Sequence, residues 1–276
     1  MSSTDILSDI VAHKRIEVEQ QKQAISPSML AQQAETIIDT QQRPTLSFSK
    51  ALRNSDTGII AEFKRKSPSK GWIHPEASPQ DIVPAYVQSG AAAISILTDA
   101  HYFGGQLSHI QQVRASIPDT PILRKDFVID SYQLYQARIA GADAVLLIAA
   151  CLTPSECNQL AQLAHQLQLE TLLEVHSSDE LSYLNSNIDM VGVNNRNLGT
   201  FHTDVQNSIR MAPLLPTELP HISESGIGDP QTIRQLRAIG YQGFLIGETF
   251  MRTSNPAGTL RSFRLETREE SLEVKG

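Results

Sequence analysis

The 276-residue sequence is poor in cysteine, in aromatic residues and in long apolar runs. Its two cysteines, Cys151 and Cys157, are too few and too close together to crosslink a domain or to hold a metal ion. The longest uncharged apolar run covers residues 144–152, whereas a membrane-spanning helix needs roughly 20 residues. These absences exclude a disulfide-stabilised secreted domain and a membrane-spanning protein.

The chain also lacks an excess of positive charge. Acidic residues outnumber basic residues by 30 to 23, which gives a formal net charge of −7. A protein whose whole surface binds nucleic acid or anionic lipid would instead be basic. Asp5 and Asp9 precede the first apolar stretch, so the N-terminus does not resemble a secretory signal. We therefore expect a cytoplasmic, globular protein that binds neither nucleic acid nor a membrane.

Eight short apolar segments, separated by longer segments with helix signals, organise most of the chain. They recur roughly every 20–35 residues, which is the length of a strand plus a crossover helix. They are apolar throughout rather than alternating, as is typical of parallel strands that are buried on both faces. The predicted strands are residues 59–63, 93–97, 121–124, 144–148, 171–175, 190–193, 221–223 and 243–246.

Glycine, proline and capping residues mark the ends of the intervening helices. Gly90, Gly141 and Gly240 stand where a helix would end before the next strand. Ser78-Pro79 and Thr153-Pro154 each combine an N-cap residue with a proline at the first helical position. These signals support strand–helix units rather than a sheet of hairpins.

Eight such units predict an α/β fold, a single closed (β/α)8 TIM barrel that covers residues 1–276. The alternative is an open, doubly wound sheet, but that fold would want a glycine-rich dinucleotide turn after the first strand. Residues 1–50 precede the first strand and form an N-terminal helical extension. Its helical spacing is carried by Leu7, Ile10, Val11, Lys14 and Val18. This helix either packs on the outside of the barrel, or closes its bottom or shapes the active-site rim.

Polar side chains follow the predicted strands at their C-terminal ends. The active site of a TIM barrel lies at that face, so these residues would converge on one mouth. A single lysine or glutamate there is more often part of a surface ion pair. Several charged groups buried together are costly, however, unless function requires them. The set comprises Glu62, Lys64, Lys125, Glu174, Asn194 and Glu224. For His176, a structural or supporting role is favoured.

Two further features indicate a phosphorylated ligand. The densest positive patch lacks the interleaved aromatic residues and the second basic face of a nucleic-acid site, so we interpret it as a funnel for an anionic small molecule. Glycine-containing turns follow the last two strands, where many barrels bind phosphate through backbone N–H groups. The patch consists of Lys64, Arg65, Lys66 and Lys70, and the turns are residues 225–228 and Gly247.

At these residues the sequence closely resembles the indole-3-glycerol-phosphate synthase family of tryptophan biosynthesis. Six segments carry the resemblance in the family's order, and the helical N-terminal extension is also a family feature. The first, third and fifth segments are the most specific. The segments are residues 61–69, 97–99 with 103–105, 123–127, 173–176, 192–198 and 223–227.

The resemblance implies a cofactor-free lyase reaction. The open-chain substrate 1-(2-carboxyphenylamino)-1-deoxyribulose 5-phosphate would close to indole-3-glycerol phosphate, with loss of CO₂ and water. Neither a metal nor an organic cofactor is expected. The expected partner is this phosphorylated small molecule, and transient contact with other enzymes of tryptophan biosynthesis is left open.

The resemblance also implies roles for the strand-end residues. Lys125 would protonate the ketone, and Glu174 would remove the proton that the forming indole loses. Lys64 would hold the phosphate or a substrate oxygen and act as the acid in dehydration, while Glu62 would position the lysines or share the role of base. Both lysines fit if positive neighbours and partial burial lower their pKa towards the working pH. The expected substrate-orienting or substrate-binding residues are Asn194, Arg196, Glu224, Ser67, Phe127, Ser225, Gly226, Gly247 and Glu248.

A few positions depart from the family pattern. Glu248 stands where some members have a serine that would donate to phosphate. Because a carboxylate cannot donate, we expect its side chain to point away and the backbone N–H to serve. Ala100 and His101 stand where charged residues are common. Trp72, the only tryptophan, is either an anchor on the barrel rim or part of a lid.

Two other functions compete with the synthase. One is an isomerase acting on phosphoribosyl anthranilate, but such barrels usually rely on a cysteine and an aspartate at the strand ends. The other is a non-catalytic barrel retained as a binding or channelling subunit. The presence of Glu62, Lys125 and Glu174 together argues against a non-catalytic barrel.

Overall fold

The computed structural model describes residues 6–197 and 202–273 of the chain. Asp5 and Leu198, both used in the sequence analysis, therefore lie outside the described residues. The helices are α1 Ile6–Ala24, α2 Pro27–Asp39, α3 Phe48–Asn54, α4 Pro79–Gln88, α5 Ser108–Arg114, α6 Ser131–Ala140, α7 Pro154–Gln166, α8 Gln206–Met211, α9 Pro230–Ala238, α10 Glu248–Met251 and α11 Pro256–Glu273. The strands are β1 Ile59–Phe63, β2 Lys66–Ser67, β3 Gly71–Trp72, β4 Ala93–Leu97, β5 Ile122–Lys125, β6 Ala144–Ile148, β7 Glu170–Val175, β8 Met190–Asn194, β9 His221–Glu224 and β10 Gly243–Ile246.

Eight parallel strands close into a barrel in the order β1-β10-β9-β8-β7-β6-β5-β4. The first strand pairs with both β4 and β10, which closes the sheet. The predicted TIM barrel is therefore confirmed, and the open doubly wound sheet is wrong. Within the described residues, no helix is long and apolar enough to cross a membrane.

The barrel strands coincide closely with the predicted segments, and β1, β4, β6 and β10 match residue for residue. Strand β5 begins at Ile122 instead of Pro121, because proline has no N–H for the ladder, and it ends at Lys125. Strands β8 and β9 each extend one residue further, to Asn194 and Glu224. The antiparallel hairpin of β2 and β3, in the loop after β1, was not predicted.

Alternate residues of each strand point into the barrel, and this period of two builds the site. One buried apolar cluster contains Ile60, Leu123, Leu172 and Ile222 and fills the barrel interior. A second cluster, to which the intervening residues such as Ile94 contribute, lies between the strands and the helices. Each of these four interior residues is followed, two positions later on the same strand, by a charged residue. These charged residues are Glu62, Lys125, Glu174 and Glu224. The top interior layer of the barrel is therefore polar.

The first helix of the N-terminal extension packs over the top of the barrel. Its Lys14 side chain is buried and forms ion pairs of 2.9 Å with Asp99 and 3.0 Å with Asp126. These aspartates follow β4 and β5, so the ion pairs tie α1 to the catalytic face. Leu7 and Ile10 of α1 belong to the apolar cluster inside the barrel. The interpretation that this helix shapes the active-site rim is therefore correct.

The other two helices of the extension lie on the outside and at the bottom of the barrel, the two other positions that the sequence analysis considered. Helix α2 packs on the outside of the barrel against α6. Helix α3 covers the bottom, where its buried Phe48 and Leu52 join the interior cluster. The Glu170 carboxylate at the start of β7 accepts a hydrogen bond of 2.7 Å from the N–H of Ser49 and so holds α3 in place.

The predicted helix ends are confirmed, with one difference in their chemistry. Gly90, Gly141 and Gly240 adopt φ angles of 95°, 104° and 107°, the left-handed conformation that ends a helix. Thr153 and Glu156 form a reciprocal capping box at the start of α7. Ser78 is the N-cap residue of α4, but its side chain makes no capping hydrogen bond within the described residues.

Candidate active site

A cavity of about 600 Å³ opens at the C-terminal ends of the barrel strands. Every residue that the sequence analysis assigned to catalysis or substrate binding lines it. These residues are Glu62, Lys64, Ser67, Lys125, Phe127, Glu174, Asn194, Arg196, Glu224, Ser225, Gly226, Gly247 and Glu248. The barrel thus brings together side chains from five of its strands and from the following loops, including the loop after β10.

The Lys125 ammonium lies between two carboxylates on the cavity floor. Its Nζ is 2.7 Å from Glu174 Oε2 and 2.5 Å from Glu224 Oε2. Burial by itself lowers the pKa of Lys125, but the negative charges of Glu174, Glu224 and Glu62 outweigh burial and raise this pKa above its ordinary value. The expectation of a lowered pKa is therefore wrong for Lys125, because its nearest charged neighbours are carboxylates.

The two carboxylates that share Lys125 differ in their environments. Burial by itself raises the pKa of Glu174, but the positive charges of Lys125 and His176 outweigh burial and lower this pKa to about 2. For Glu224, burial and the nearby Glu174 charge exceed the attraction of Lys125 and raise the pKa to about 7. Glu224 Oε1 is also buried without a hydrogen-bond partner in the described structure. At neutral pH, Glu174 is therefore ionised, while Glu224 readily carries a proton.

A second lysine–glutamate pair lies at the end of β1. Lys64 Nζ is 2.8 Å from Glu62 Oε1, and Ser95 on the neighbouring strand donates to Glu62 Oε2 at 3.4 Å. Space for these carboxylates depends on two glycines. A Cβ at Gly247 would lie 2.5 Å from Glu62 Oε1, and one at Gly192 would lie 2.3 Å from Glu224 Oε1. The glycines therefore make room for the charged layer.

Asn194 orients the Glu174 carboxylate, and the next residue orients the turn after β9. Asn194 Nδ2 donates to Glu174 Oε1 at 3.1 Å, and Asn194 Oδ1 accepts from the N–H of Arg196 at 3.0 Å. The buried Asn195 donates to the carbonyl of Ser225 at 3.0 Å. This bond supports Ser225 in the left-handed region at φ 68°, which is unusual for a residue other than glycine.

The other end of the cavity presents groups that suit a phosphate. The Ser67 hydroxyl is buried and has no hydrogen-bond partner in the part of the chain that the structure describes. Arg196 donates to Ser69 Oγ at 2.7 Å and so links the β8 loop to the β1 loop. The Glu248 carboxylate is 3.7 Å from the Arg196 guanidinium. Glu248 therefore turns towards a cation at the cavity wall, and the expectation that its side chain points away from the phosphate stays a prediction.

The positive patch divides into two pairs. Lys64 and Lys70 line the cavity, as a funnel for an anion requires. Arg65 instead donates to the carbonyl of Gly104 at 3.0 Å, and Lys66 donates to that of His101 at 2.8 Å. Both of these cations also lie over the Trp72 ring, 5.6 and 5.7 Å from its centre. Arg65 and Lys66 therefore fasten two loops together, because backbone carbonyls of the β4 loop lie within their reach.

Trp72 has the contacts of a rim anchor. Its ring packs so closely on Gly104 that a Cβ there would lie 2.8 Å from it, yet 54% of the side chain is exposed. Movement of this loop as a lid stays a prediction. The described residues contain no group of three or more His, Cys, Asp or Glu side chains that could hold a metal ion.

Sequence reasoning left open whether α1 contributes to the cavity, and it assigned none of the helix's residues to the site. Ile6, Leu7 and Ile10 line its apolar side. Their helical spacing was visible in the sequence, but no pattern indicated which surface they contact. One residue did indicate that α1 lies at the top of the barrel. Lys14 interrupts the apolar stripe, and a buried lysine requires acidic partners, which Asp99 and Asp126 provide at the strand ends.

Known structures share this architecture. The chain is similar to 3-hexulose-6-phosphate synthase from Salmonella typhimurium, with a TM-score of 0.61 and 13% identity over 76% of this chain and 99% of that one. It is also similar to tryptophan synthase subunit alpha from Legionella pneumophila, with a TM-score of 0.56 and 15% identity over 86% and 97% of the two chains. At these identities the likeness concerns the fold alone. Fold and site together define the class, a TIM-barrel enzyme with lysine–glutamate ion pairs in its cavity.

Sequence comparison identifies the family. The family model described as indole-3-glycerol phosphate synthase matches residues 7–263. The synthase of Bacteroides thetaiotaomicron is 57% identical over 94% of this chain and 97% of its own length. That of Salinibacter ruber is 41% identical over 98% and 99%. The chain belongs to the indole-3-glycerol phosphate synthase family, decarboxylating lyases of tryptophan biosynthesis that act on a phosphorylated substrate.

Proposed function

We propose that the cavity closes 1-(2-carboxyphenylamino)-1-deoxyribulose 5-phosphate to indole-3-glycerol phosphate, with Lys125 as the acid of the ring-closing step. The observation that carries this assignment is the Lys125 ammonium, held between Glu174 and Glu224 at the cavity floor. Attack of the ring carbon on the ketone develops negative charge on the ketone oxygen. An oriented ammonium stabilises that charge and then donates its proton.

Glu174 takes the role of base in the last step. While Lys125 is charged, the attraction between the two groups makes Glu174 a weak base. Once Lys125 has given up its proton, that attraction is lost and the proton affinity of Glu174 rises. Glu174 then removes a proton from the methylene carbon next to nitrogen as the indole double bond forms. Asn194 keeps the carboxylate oriented through its 3.1 Å hydrogen bond.

Dehydration requires a second acid, and Lys64 takes that role. The hydroxyl that derives from the ketone must accept a proton before it leaves as water. Lys64 is ion-paired with Glu62 at 2.8 Å, so Glu62 sets the position of the ammonium. Glu224, with its pKa raised to about 7, orients the substrate hydroxyl as either donor or acceptor.

The substrate's anionic groups occupy the cavity's walls. The unpartnered Ser67 hydroxyl and the backbone of Ser225, Gly226 and Gly247 bind the phosphate. Arg196 binds the carboxylate or a hydroxyl and exchanges its contact with Glu248 for one with the substrate. Phe127, with Leu7 and Ile10, packs on the aromatic ring.

Replacing Lys125 with methionine tests the assignment. Loss of a positioned general acid lowers a rate by about 10²–10⁴-fold, so we expect Lys125→Met to lose at least about that factor in kcat. Indole fluorescence of the product measures turnover, and circular dichroism checks the fold. Lys50→Met, on the exposed face of α3, is the matched control and should keep wild-type turnover. A folded Lys125→Met enzyme with more than about a tenth of wild-type kcat would refute the role.

Three expectations from the sequence complete the proposal. The enzyme acts in the cytoplasm, where a metabolite whose phosphate carries about two negative charges is retained. Residues 1–276 act as one domain, because helices α1 and α3 contribute to the same interior cluster as the barrel strands. Transient contact with other enzymes of the pathway stays a prediction.

A further inference from the structure

The imidazole of His176 lies directly behind the proposed base. It follows the end of β7, and only 14% of its side chain is exposed. Its Nε2 is 3.5 Å from Glu174 Oε1, and its Nδ1 is 3.5 Å from Glu180 Oε2. Within the described structure, neither nitrogen has a hydrogen-bond partner. A neutral imidazole would turn one unprotonated nitrogen towards a carboxylate oxygen, and two acceptors repel each other, whereas an imidazolium presents an N–H and a positive charge to both carboxylates.

The position of the ring is fixed by its backbone. The N–H of His176 donates to Glu180 Oε2 at 2.6 Å, and Asn207 on α8 donates to the carbonyl of His176 at 3.1 Å. The charged groups that face the ring are Glu174 from β7, Glu180 from the short helix at residues 178–183, and Glu224 from β9. All three are acidic. Burial lowers the pKa of His176, but the three glutamates together raise it above its ordinary value.

A counter-ion at this place has a definite use in the reaction. When Lys125 transfers its proton to the substrate, Glu174 loses the cation 2.7 Å away. A carboxylate buried without a counter-ion tends to take up a proton, and a protonated Glu174 could not accept the methylene proton. The imidazolium of His176 contacts the other oxygen of Glu174, and its own charge is not consumed in any step.

We propose that His176 is a positioning residue that serves as the second counter-ion of Glu174 and keeps this base ionised while Lys125 is neutral. The proposal rests on the proposed function, in which Lys125 is the acid and Glu174 the base. It assigns to Glu180 the task of holding the imidazolium from the solvent side.

The pH dependence of His176→Gln tests this role. Without the imidazolium, protons compete more effectively for Glu174, so the acid limb of kcat should move to higher pH by at least about one unit. On the alkaline side of that limb, kcat should return to within about twofold of the wild type, and KM should stay unchanged. Glu180→Gln should move the limb in the same direction by a smaller amount, and it carries the test if His176→Gln does not fold.

The control is His165→Gln. His165 pairs with Asp189 at 2.8 Å, away from the cavity, and its replacement should leave the acid limb in place. A wild-type acid limb in His176→Gln, or an equal loss of kcat at every pH, would overturn the proposal and indicate a purely structural histidine. These outcomes are distinct from failure of the proposed function, which would show as absence of indole formation by the wild-type enzyme or as full activity of Lys125→Met.

Discussion

At the scale of single residues, the pKa values of two neighbouring glutamates shift in opposite directions. Glu174 and Glu224 both contact the Lys125 ammonium, and both are buried. Glu174 also receives a hydrogen bond from Asn194 and faces His176, which favours its charged form. Glu224 lacks such support and feels the negative charge of Glu174, which favours its neutral form. Divergent environments of this kind separate acid and base roles at one site.

The raised pKa of Glu224 predicts how stability depends on pH. Its pKa rises from an ordinary 4.5 to about 7 in the folded protein. The folded state therefore binds more protons than the unfolded state between these values, and stability falls as the pH rises through this window. Glutamine removes the penalty, so Glu224→Gln should be more stable than the wild type by about 3 kcal/mol at about pH 8 and by much less at about pH 5.

Urea unfolding at the two pH values measures this difference. Glu218→Gln, at an exposed position, is the control. Its effect on the free energy of unfolding should be small and the same at both pH values. If Glu224→Gln shows the same stability difference from the wild type at both pH values, the raised pKa is refuted.

At the scale of elements, α1 is held to the barrel by charge as well as by apolar contacts. Its Lys14 pairs with Asp99 and Asp126, whose neighbour in sequence is Lys125. The attraction of these aspartates outweighs burial and raises the pKa of Lys14. The ion pairs therefore connect the helix that lines the cavity to the strand end that carries Lys125, the proposed acid.

Removal of this buried cation should be costly. Lys14→Met leaves Asp99 and Asp126 without their shared partner, and breaking a buried pair destabilises a protein by about 3–5 kcal/mol. Lys22→Met, which removes half-exposed pairs of the same helix with Glu19 and Asp130, should cost less than about 1 kcal/mol. Denaturant unfolding compares the two variants. If both variants lose the same free energy of unfolding, Lys14 contributes no more to stability than a surface cation.

Two N-caps that look alike in the sequence should differ in their contribution. The Thr153 hydroxyl accepts from the N–H of Glu156, whereas Ser78 makes no such bond within the described residues. Thr153→Ala should therefore lower the free energy of unfolding by about 1 kcal/mol, and Ser78→Ala by only a few tenths. Thermal unfolding of the two alanine variants checks this difference, and equal effects would contradict it.

At the scale of the whole molecule, barrel closure gathers lysine and arginine side chains beside carboxylates in one cavity of a protein of net charge −7. Lys64 and Lys70 from the loop after β1, Arg196 from the loop after β8 and Arg252 from the end of α10 line one cavity, with Lys125 on its floor. In the proposed mechanism these side chains attract the phosphorylated substrate and supply the protons that its reaction consumes. The proposed binding groups and the proposed acid–base groups thus line the same cavity.

This arrangement predicts that metal chelation has no effect. Since the proposed mechanism assigns polarisation of the ketone and protonation of the leaving hydroxyl to lysine ammonium groups, prolonged treatment with EDTA should leave kcat and KM unchanged. The measurement is the indole assay before and after chelation, with divalent ions added back singly. Activity that disappears and returns with one particular ion would show that a metal participates.

Much of the fold was determined by local sequence. The eight apolar segments and the glycines at helix ends act over a few residues, so strands such as Ala93–Leu97 could be predicted to the residue. The candidate residues followed from the same pattern, because the C-terminal ends of parallel strands in a barrel meet at one face. The family motifs, which combine these residues in order, then indicated the reaction.

Only the tertiary structure decided which groups contact one another. Lys125 lies 49 residues from Glu174 and 99 from Glu224 in sequence, and barrel closure alone brings them within 2.7 and 2.5 Å. Their contact reversed the expected direction of the Lys125 pKa. The burial of Lys14 was likewise decided by elements far apart in sequence. A pKa depends on burial and on charges a few ångströms away, and a linear pattern does not contain these distances.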